Sequence, residues 1–339
     1  MTKSIKLRSL LLGLVGLLTF VTASATTFNH PGVVLRIVST VTGKALSNGN
    51  NAAHDTYLQM DALDLTAQGQ DWVLVRVSAD DDELFAFYNP NYDMGIDMAP
   101  TAAQKYRLLQ WDGNPTNANQ QFLVKEVDGL DDVYQFLNKD ADRVMTVRDD
   151  GTIYMDQDLT AANSYFRLDL TENTVKVPIP HQSYVFTNKS NGQVLTNRQS
   201  TTSAALLYTE PYEAGKAGQI WQYRCELNNK TNVKVLYNET YSYAVDAGLD
   251  GNKKPLQYAL DASNQNQQVT LAAVEGQEGV YQIAYVSKKD NLTYYIAADA
   301  NGNTSMTSDQ SDVTTYFSIA ATDKPIVEKM IGKTSASLP

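Results

Sequence analysis

The chain has 339 residues, of which 43% are hydrophobic and 19% are charged; this composition is that of a globular protein and argues against a disordered one. Its formal charge of −11 would repel a phosphate backbone, so we expect no nucleic-acid partner. Strongly anionic glycans are disfavoured for the same reason, because the sequence shows no basic patch.

Residues 1–25 are predicted to be a signal peptide, cleaved near Ala25. Basic residues precede an apolar run, residues 10–21, which has the length of a signal-peptide core, and a small-x-small cleavage site follows. The run is shorter than the roughly 20 apolar residues of a membrane span, and no second long apolar run occurs. We therefore expect a secreted, periplasmic or cell-surface protein with no membrane contact after cleavage.

Beyond the leader, three short patterns recur about every 50 residues, which indicates six internal repeats. The first is a strand ending in a polar residue, and its copies begin at Arg36, Phe85, Tyr134, Tyr184, Val235 and Tyr281. The second is a short strand centred on Gln59, Gln110, Tyr154, Tyr208, Gln257 and Ser305. The third is a polar-x-apolar step that ends at Trp72, Phe122, Phe166, Trp221, Val269 and Phe317.

Each copy is predicted to consist of β-strands. After the third pattern, as in residues 72–77 and 166–170, side chains alternate with the period of two that is typical of half-buried strands. Gly, Asn, Asp and Pro separate these runs, and no long helical stripe occurs. A unit of this size cannot bury its own apolar face, so the repeats must pack on one another.

Two architectures fit six such repeats: a six-bladed β-propeller, or two tandem β-trefoil domains of three repeats each. The sequence favours the trefoils, because Pro178 and Pro180 follow the third repeat and cannot donate ladder hydrogen bonds, whereas a propeller needs no linker there. The repeat types also recur with a period of three. We predict trefoil domains at residues 28–172 and 181–322, a linker at 173–180, and a tail or the start of a further linker at 323–339.

Through Gln70-Asp71-Trp72 and Gln219-Ile220-Trp221 the chain resembles the ricin-type β-trefoil family, or R-type lectins, whose repeats end in Gln-x-Trp. Gln120-Gln121-Phe122 is close to the motif, the other three copies are degenerate, and the family's repeat disulfides are absent. The resemblance implies a pseudo-threefold fold with up to one glycan site per repeat. The motif itself argues for the fold, since its aromatic belongs in the core and its Gln satisfies buried backbone groups.

A sugar site needs an acid or amide for paired hydroxyls and a flat ring for the apolar sugar face. The resemblance implies an Asp near the start of a repeat, and only the second and fifth repeats have it. The same two repeats have an Asn-Gln pair where the family has amide ligands. We therefore predict these carbohydrate-binding residues: Asp97, Gln110, Trp111, Asn119, Gln120, Asp246, Gln257, Tyr258, Asn266 and Gln267.

The sequence leaves three points open at these sites. Strand parity could turn Trp111 and Tyr258 toward the core, in which case the glutamines that precede them face the sugar. Tyr154 and Tyr208 are second-tier aromatic candidates, because they lie in repeats without the Asp and could be ordinary surface strand residues. Either Asp could instead serve as a turn cap.

Catalysis is not expected. The three histidines, His30, His54 and His181, occupy unrelated repeat positions, and the single cysteine, Cys225, is interpreted as a buried apolar residue. No metal-ligand cluster occurs, so we expect no metal and no cofactor; a carboxylate pair assembled by folding, as in a glycosidase, is the one route to an enzyme that spacing leaves open. The hypothesis is a secreted lectin-like protein with weak sites for a neutral oligo- or polysaccharide. The alternative is a trefoil scaffold that binds a protein partner or serves a downstream catalytic domain.

Overall fold

The structure, a computed structural model, describes residues 33–77, 84–98, 105–139, 142–175, 178–228 and 231–322. Within these ranges the regular secondary structure consists of β-strands and short 3₁₀ turns. No helix in this part of the chain has the length and apolarity to cross a membrane. The predicted leader and the predicted tail lie outside the described residues.

The strands form two antiparallel sheets. The first sheet contains β1 Val33–Ser39, β2 Ala45–Ser47, β3 Thr56–Tyr57, β4 Gln59–Asp61, β5 Val73–Arg76, β6 Leu84–Asn89, β7 Met94–Met98, β8 Leu108–Asp112, β9 Phe122–Glu126, β10 Val133–Asn138, β11 Arg143–Val147, β12 Ile153–Asp156 and β13 Phe166–Thr174. The second contains β14 Gln182–Asn188, β15 Val194–Thr196, β16 Tyr208–Glu210, β17 Trp221–Asn228, β18 Thr231–Asn238, β19 Tyr243–Asp246, β20 Leu256–Ala259, β21 Thr270–Ala273, β22 Val280–Val286, β23 Thr293–Ala298, β24 Thr304–Thr307 and β25 Tyr316–Ala321.

Each sheet closes into a barrel, with six of its described strands in the ring. In the first barrel β13 pairs with β1 and β10, and the ring continues through β9, β6 and β5, which returns to β1 at the Leu35–Trp72 bridge. In the second barrel β25 pairs with β14 and β22, and the ring continues through β21, β18 and β17. There β21 meets β18 where the Val269 N–H donates to the Lys234 carbonyl at 2.7 Å.

Three hairpins cap each barrel. In the first domain they are β2–β4, β7–β8 and β11–β12. Backbone hydrogen bonds join the three hairpins into a ring: Leu58 to Leu108, Met60 to Gly151 and Met155 to Tyr106. The second domain repeats them as Leu207 to Pro255, Thr209 to Gly302 and Met306 to Lys253. A barrel closed by a hairpin triplet is a β-trefoil, so the chain folds as two tandem β-trefoil domains, and the six-bladed propeller is wrong.

The third sequence pattern supplies the barrel cores. Its aromatic residues Trp72, Phe122, Phe166, Trp221 and Phe317 are all 0% exposed, and burial of a large apolar side chain stabilises a fold by about 1.5–3 kcal/mol. The two indole N–H groups donate to buried carbonyls at 3.0 Å in matching positions of the two domains. The prediction that these aromatics belong to the core is confirmed. The polar residue that opens each of the six copies of the pattern is the last residue of a 3₁₀ turn, one turn in each repeat of the described chain.

A buried ion pair ties the first domain together at its motif position. Arg36 is 0% exposed and its guanidinium donates to the carboxylate of Asp71, the central residue of the first Gln-x-Trp. Asn91 and Asn173 donate to the same carboxylate at 2.9 and 3.0 Å. These donors come from three separate strands or turns, so the carboxylate is fully engaged inside the protein and serves the fold.

The two trefoils contact each other beside the segment predicted to be a linker. Strand β13 continues to Thr174, inside that segment, and Ile179 packs in an apolar cluster with Val73 and Tyr88 of the first domain. The amide of Asn114 donates to Asn232 of the second domain at 2.8 Å. The domain boundaries at residues 28–172, 173–180 and 181–322 stay predictions.

Candidate functional site

A glutamine clamp closes the loop before the 3₁₀ turn in four repeats. In each, the side-chain amide donates to the carbonyl eight residues earlier and the side-chain oxygen accepts from the N–H six residues earlier, at 2.8–3.1 Å. The four clamp residues are Gln70, Gln120, Gln219 and Gln267. The clamp satisfies backbone groups in a loop that has no strand partner for them.

The third and sixth repeats build the same clamp from a different position. There the 3₁₀ turn ends in a hydroxyl residue, and a Gln from the preceding barrel strand reaches it: Gln135 donates to Ser164 and Gln282 to Thr315, each at 2.6 Å. The same two amides donate to the carbonyls of Leu159 and Gln310. In the third and sixth repeats a strand glutamine therefore takes the place of the missing motif glutamine. Where the motif glutamine is present, it has a folding role.

In the second and fifth repeats the clamp residue also holds a carboxylate. Asp97 accepts from Gln120 and from Asn117, both at 3.1 Å. Asp246 accepts from Asn264 at 2.9 Å, and Gln267 donates to it as well. Asp97 and Asp246 are only 6% and 4% exposed. The structure thus brings together the predicted Asp and Gln of each repeat, in the same arrangement in both domains.

Burial gives both carboxylates unusual titration. Desolvation raises the pKa of Asp97 to about 6, against the opposing hydrogen bond from Gln120, and the nearby charge of Asp55 raises it further. Desolvation likewise raises the pKa of Asp246. A carboxylate held in a costly ionised state beside the surface is a feature of binding sites more often than of structural turns.

The turn-cap interpretation of the Asp also holds for the fifth repeat. One oxygen of Asp246 accepts from the N–H of Gly248 at 2.8 Å, as the hydroxyls of Ser47 and Thr196 do for the residues two positions on in the first and fourth repeats. Those hydroxyls complete the turn without any charge. The second oxygen of Asp246, which accepts from Asn264 at 2.9 Å, is therefore what distinguishes this repeat from its neighbours.

The predicted aromatics share a face with the carboxylates. In the hairpin β7–β8, Asp97 pairs with Leu109 and Gly95 with Trp111, so these four residues lie on one face. The corresponding pairs in the fifth repeat place Asp246 and Tyr258 on one face. Trp111 is partly exposed and Tyr258 is 41% exposed. The alternative that parity turns these rings toward the core is wrong.

The glutamines before these rings face inward. Gln110 and Gln257 are both 0% exposed. The Gln110 amide donates to the carbonyls of Asn51 and Ala53, each at 2.7 Å, and its oxygen accepts from Asn48 at 2.8 Å. Gln257 makes the equivalent three hydrogen bonds in the second domain. Both are loop-holding residues, and we remove them from the proposed sugar contacts.

The cause of that error is a register difference of one residue. Asp97 pairs with Leu109 in the same way that Thr146 pairs with Tyr154, so Leu109 and not Gln110 is the counterpart of Tyr154. Because strand side chains alternate, a shift of one residue exchanges the two faces. The apolar-rich sequence around Leu109 hides the shift.

The remaining predicted amides differ between the sites. Asn266 is 8% exposed and donates to Asp250 at 2.9 Å, whereas Asn119 is partly exposed. The sequence interpretation missed Asn117 and Asn264, which touch the carboxylates directly. A signal existed, because asparagine occurs three residues before the clamp position only in the second and fifth repeats.

A cleft lies at the fifth-repeat site. It has a volume of about 800 Å³ and is lined by Asp246, Asn264 and Gln267, by the Tyr258 ring, and by the loop that contains Asp250. That volume is in the range of small-ligand pockets. At the second-repeat site the described residues define the side that is formed by Asp97 and Trp111.

The second-tier tyrosines are covered by arginines. The guanidinium carbon of Arg148 lies 3.5 Å from the ring centroid of Tyr154, and that of Arg198 lies at the same 3.5 Å from the ring of Tyr208. Stacked cations of this kind occupy the ring face that a sugar would need. Within the described ranges, no group of three or more His, Cys, Asp or Glu could hold a metal ion.

No family model and no curated protein matches this sequence. Among solved structures, the designed threefold-symmetric protein ThreeFoil aligns with 40% of this chain and 97% of its own, at 15% identity and a TM-score of 0.36. A Macrolepiota procera ricin B-like lectin, in complex with lactose, aligns with 42% of this chain and 97% of its own, at 14% identity and a TM-score of 0.33.

A mosquitocidal holotoxin aligns with 87% of this chain at 9% identity and a TM-score of 0.36, and the chain spans 35% of that protein. Likenesses of this strength carry no argument about activity. The trefoil assignment therefore depends on the barrels and hairpin caps described above.

Proposed function

We propose that the protein is a secreted, non-enzymatic carbohydrate-binding protein with one weak site in its second repeat and one in its fifth. The observation that carries the proposal is a carboxylate held by two side-chain amides, beside a partly exposed aromatic ring, at the same place in both domains: Asp97 with Trp111 and Asp246 with Tyr258. The other four repeats have no Asp at this position, and the tyrosines of the third and fourth repeats, Tyr154 and Tyr208, are covered by arginines.

The arrangement suits a neutral sugar. An ionised carboxylate accepts hydrogen bonds from paired hydroxyls, and the neighbouring amides can both donate and accept. The ring of Trp111 or Tyr258 offers a flat apolar surface to the C–H face of a pyranose. Because the carboxylates are almost buried and already accept internal hydrogen bonds, each site gains little per sugar, and two sites on one chain would raise the affinity for a repeating glycan through avidity.

The charge and the leader support the rest of the proposal. The formal charge of −11 disfavours nucleic acid and strongly anionic glycans, and a cleaved signal peptide, as predicted, would bring the protein to extracellular glycans. Chemistry is not part of the proposal, since side-chain amides donate to both carboxylates.

The test is a glycan-array screen of the mature protein, from Thr26 to Pro339, beside the double variant Asp97→Asn/Asp246→Asn. Asparagine keeps the size of each side chain and removes its charge, so we expect binding to neutral glycans to disappear while the circular-dichroism spectrum stays close to that of the parent and the melting temperature does not fall. Thr146→Ala/Thr196→Ala, at the same strand positions of the third and fourth repeats, is the matched control and should bind as the parent does.

Silence of the parent protein across neutral plant, animal and microbial glycans would contradict the proposal. The chain would then be assigned to its alternative function, a trefoil scaffold for a protein partner or a downstream domain.

A further inference from the structure

The second-repeat site contains a side chain from the first repeat. His54 lies in the loop between β2 and β3, and its Nε2 is 2.7 Å from a carboxylate oxygen of Asp112, the residue after Trp111. The imidazole also lies against the indole of Trp111, with ring centroids 5.1 Å apart and an interplanar angle of 45°. His54 and Asp112 are 46% and 36% exposed, so the three side chains form one wall at the surface.

The loop that carries His54 is fixed from inside. Gln110 donates to the carbonyls of Asn51 and Ala53 at 2.7 Å, which sets the backbone immediately before His54. The residue after it, Asp55, has a left-handed φ of 57°, and its charge reaches Asp97. Two neighbouring residues of this turn therefore act on the candidate site: His54 contacts the Trp111 ring, and the charge of Asp55 acts on the Asp97 carboxylate.

The second domain has the loop but not the wall. Gln257 holds the carbonyls of Ser200 and Thr202 as Gln110 holds its own pair, and Ala204 has a φ of 62° where Asp55 has 57°. The counterpart of His54 is therefore Ser203, and the residue after Tyr258 is Ala259 in place of Asp112. Neither small side chain can clamp the tyrosine ring.

We propose that His54 is a positioning residue of the second-repeat site: with Asp112 it holds the Trp111 indole edge-on to the protein so that the indole face meets the apolar face of a neutral sugar. The inference rests on the proposed function and deepens it. The second-repeat site is formed by two repeats, and its Trp111 ring is held in place. The fifth-repeat site is an open cleft in which no equivalent side chains hold the Tyr258 ring. The two sites of one chain therefore differ in affinity.

The experiment isolates the second-repeat site in the variant Asp246→Asn. The probes are lactose, cellobiose, mannobiose and chitobiose, each titrated while tryptophan emission is recorded. Trp72 and Trp221 are both 0% exposed, so a change in emission on binding reports Trp111. In this background we expect His54→Ser and Asp112→Ala each to weaken the disaccharide that binds best by about tenfold, which corresponds to about 1.4 kcal/mol.

Asp112→Asn is the conservative variant. Its side-chain oxygen still accepts from the imidazole N–H, so affinity should stay within about twofold of the parent. The reciprocal variant Ser203→His/Ala259→Asp, made in the Asp97→Asn background, should strengthen binding at the fifth-repeat site. Melting temperatures of all variants should agree with their parents, because the substituted side chains are exposed.

The outcomes separate the two claims. Unchanged affinity in His54→Ser, with binding of a disaccharide retained in the parent, would overturn the inference and leave the proposed function standing. If none of the four disaccharides binds the Asp246→Asn protein, while the full chain binds on the array, the second-repeat site and this inference both fall. If the full chain binds nothing, the proposed function fails first.

Discussion

At the residue scale, the carboxylates of Asp97 and Asp246 lower the free energy of unfolding. Each is almost fully buried, and each has a pKa raised by desolvation although amides donate to it. The equivalent positions of the first and fourth repeats complete the same turn with a hydroxyl. A group that weakens the folded state, where a neutral one would serve, is more readily explained by binding than by folding.

Asp97→Asn is therefore expected to stabilise the protein at neutral pH. With a folded-state pKa of about 6 against 3.8, the carboxyl contributes no penalty below pH 3.8, where both states are protonated. Stability is lost as the pH rises to about 6, because only the unfolded state ionises freely. The variant should lack this loss, so its advantage in urea unfolding should grow from pH 4 to pH 7 to the order of 2 kcal/mol.

Thr146→Ala serves as the control for this pH profile, because it titrates nothing. A pH-independent difference between Asp97→Asn and the parent would contradict the assignment of the raised pKa to Asp97. Sugar binding at this repeat should show the opposite dependence and weaken below pH 6, as the carboxylate that accepts the hydroxyl hydrogen bonds is protonated.

At the element scale, the 3₁₀ turns are held by one device made in two ways. Four repeats use the motif glutamine itself, and two use a strand glutamine that reaches a hydroxyl. The first arrangement leaves a glutamine in the sequence motif, whereas the second does not. The third and sixth copies of the motif are therefore degenerate because a glutamine from another strand stabilises the same turn.

Gln135→Ala and Gln219→Ala should consequently destabilise the protein by similar amounts, although only Gln219 belongs to a Gln-x-Trp motif. Removal of Gln219 leaves two part-buried backbone groups without their partner, and removal of Gln135 leaves the Leu159 carbonyl and the Ser164 hydroxyl without this donor. We expect each loss to cost about 1–3 kcal/mol, measured by urea unfolding monitored by circular dichroism. Gln59→Ala, an exposed strand glutamine, is the control and should change stability by less than about 0.5 kcal/mol. An unaffected Gln135→Ala protein would show that the two routes are not equivalent.

At the scale of the whole molecule, the two trefoils are joined by specific contacts. Lys234 of the second domain lies 3.2 Å from Asp93 and 3.4 Å from the carbonyl of Gly113 in the first. Asn114 bonds Asn232 across the same boundary, and its N–H is held by the clamp residue Gln120 of the second-repeat site. The site in the first domain is thus next to the interface, and the interface is part polar and part apolar.

Ile179→Ala combined with Lys234→Met should uncouple the domains. Ile179 is 5% exposed in the cluster with Val73 and Tyr88, and truncating a buried Ile costs about 2–4 kcal/mol. We expect the parent to melt in one calorimetric transition and the variant in two, with the total enthalpy nearly unchanged. Leu292→Ala, at a 51% exposed position, should keep the single transition. Two transitions in the parent would show that the interface does not couple the domains.

The sequence by itself determined the all-β class, the six repeats, their division into two groups of three and the core aromatics. These features follow from side-chain periodicity and from the spacing of the repeats, and neither depends on how the strands pair. It also singled out the second and fifth repeats, since the resemblance to ricin-type repeats implies an Asp near the repeat start and only these two repeats have one, Asp97 and Asp246. Only the tertiary structure decided which neighbours face those carboxylates.

A one-residue register difference turns Gln110 inward and Trp111 outward, and that difference is set by pairing across the hairpin and not by the local sequence. Asn117 and His54 reach the second-repeat site from a turn and from another repeat, contacts that arise when the barrel closes and that spacing along the chain does not encode.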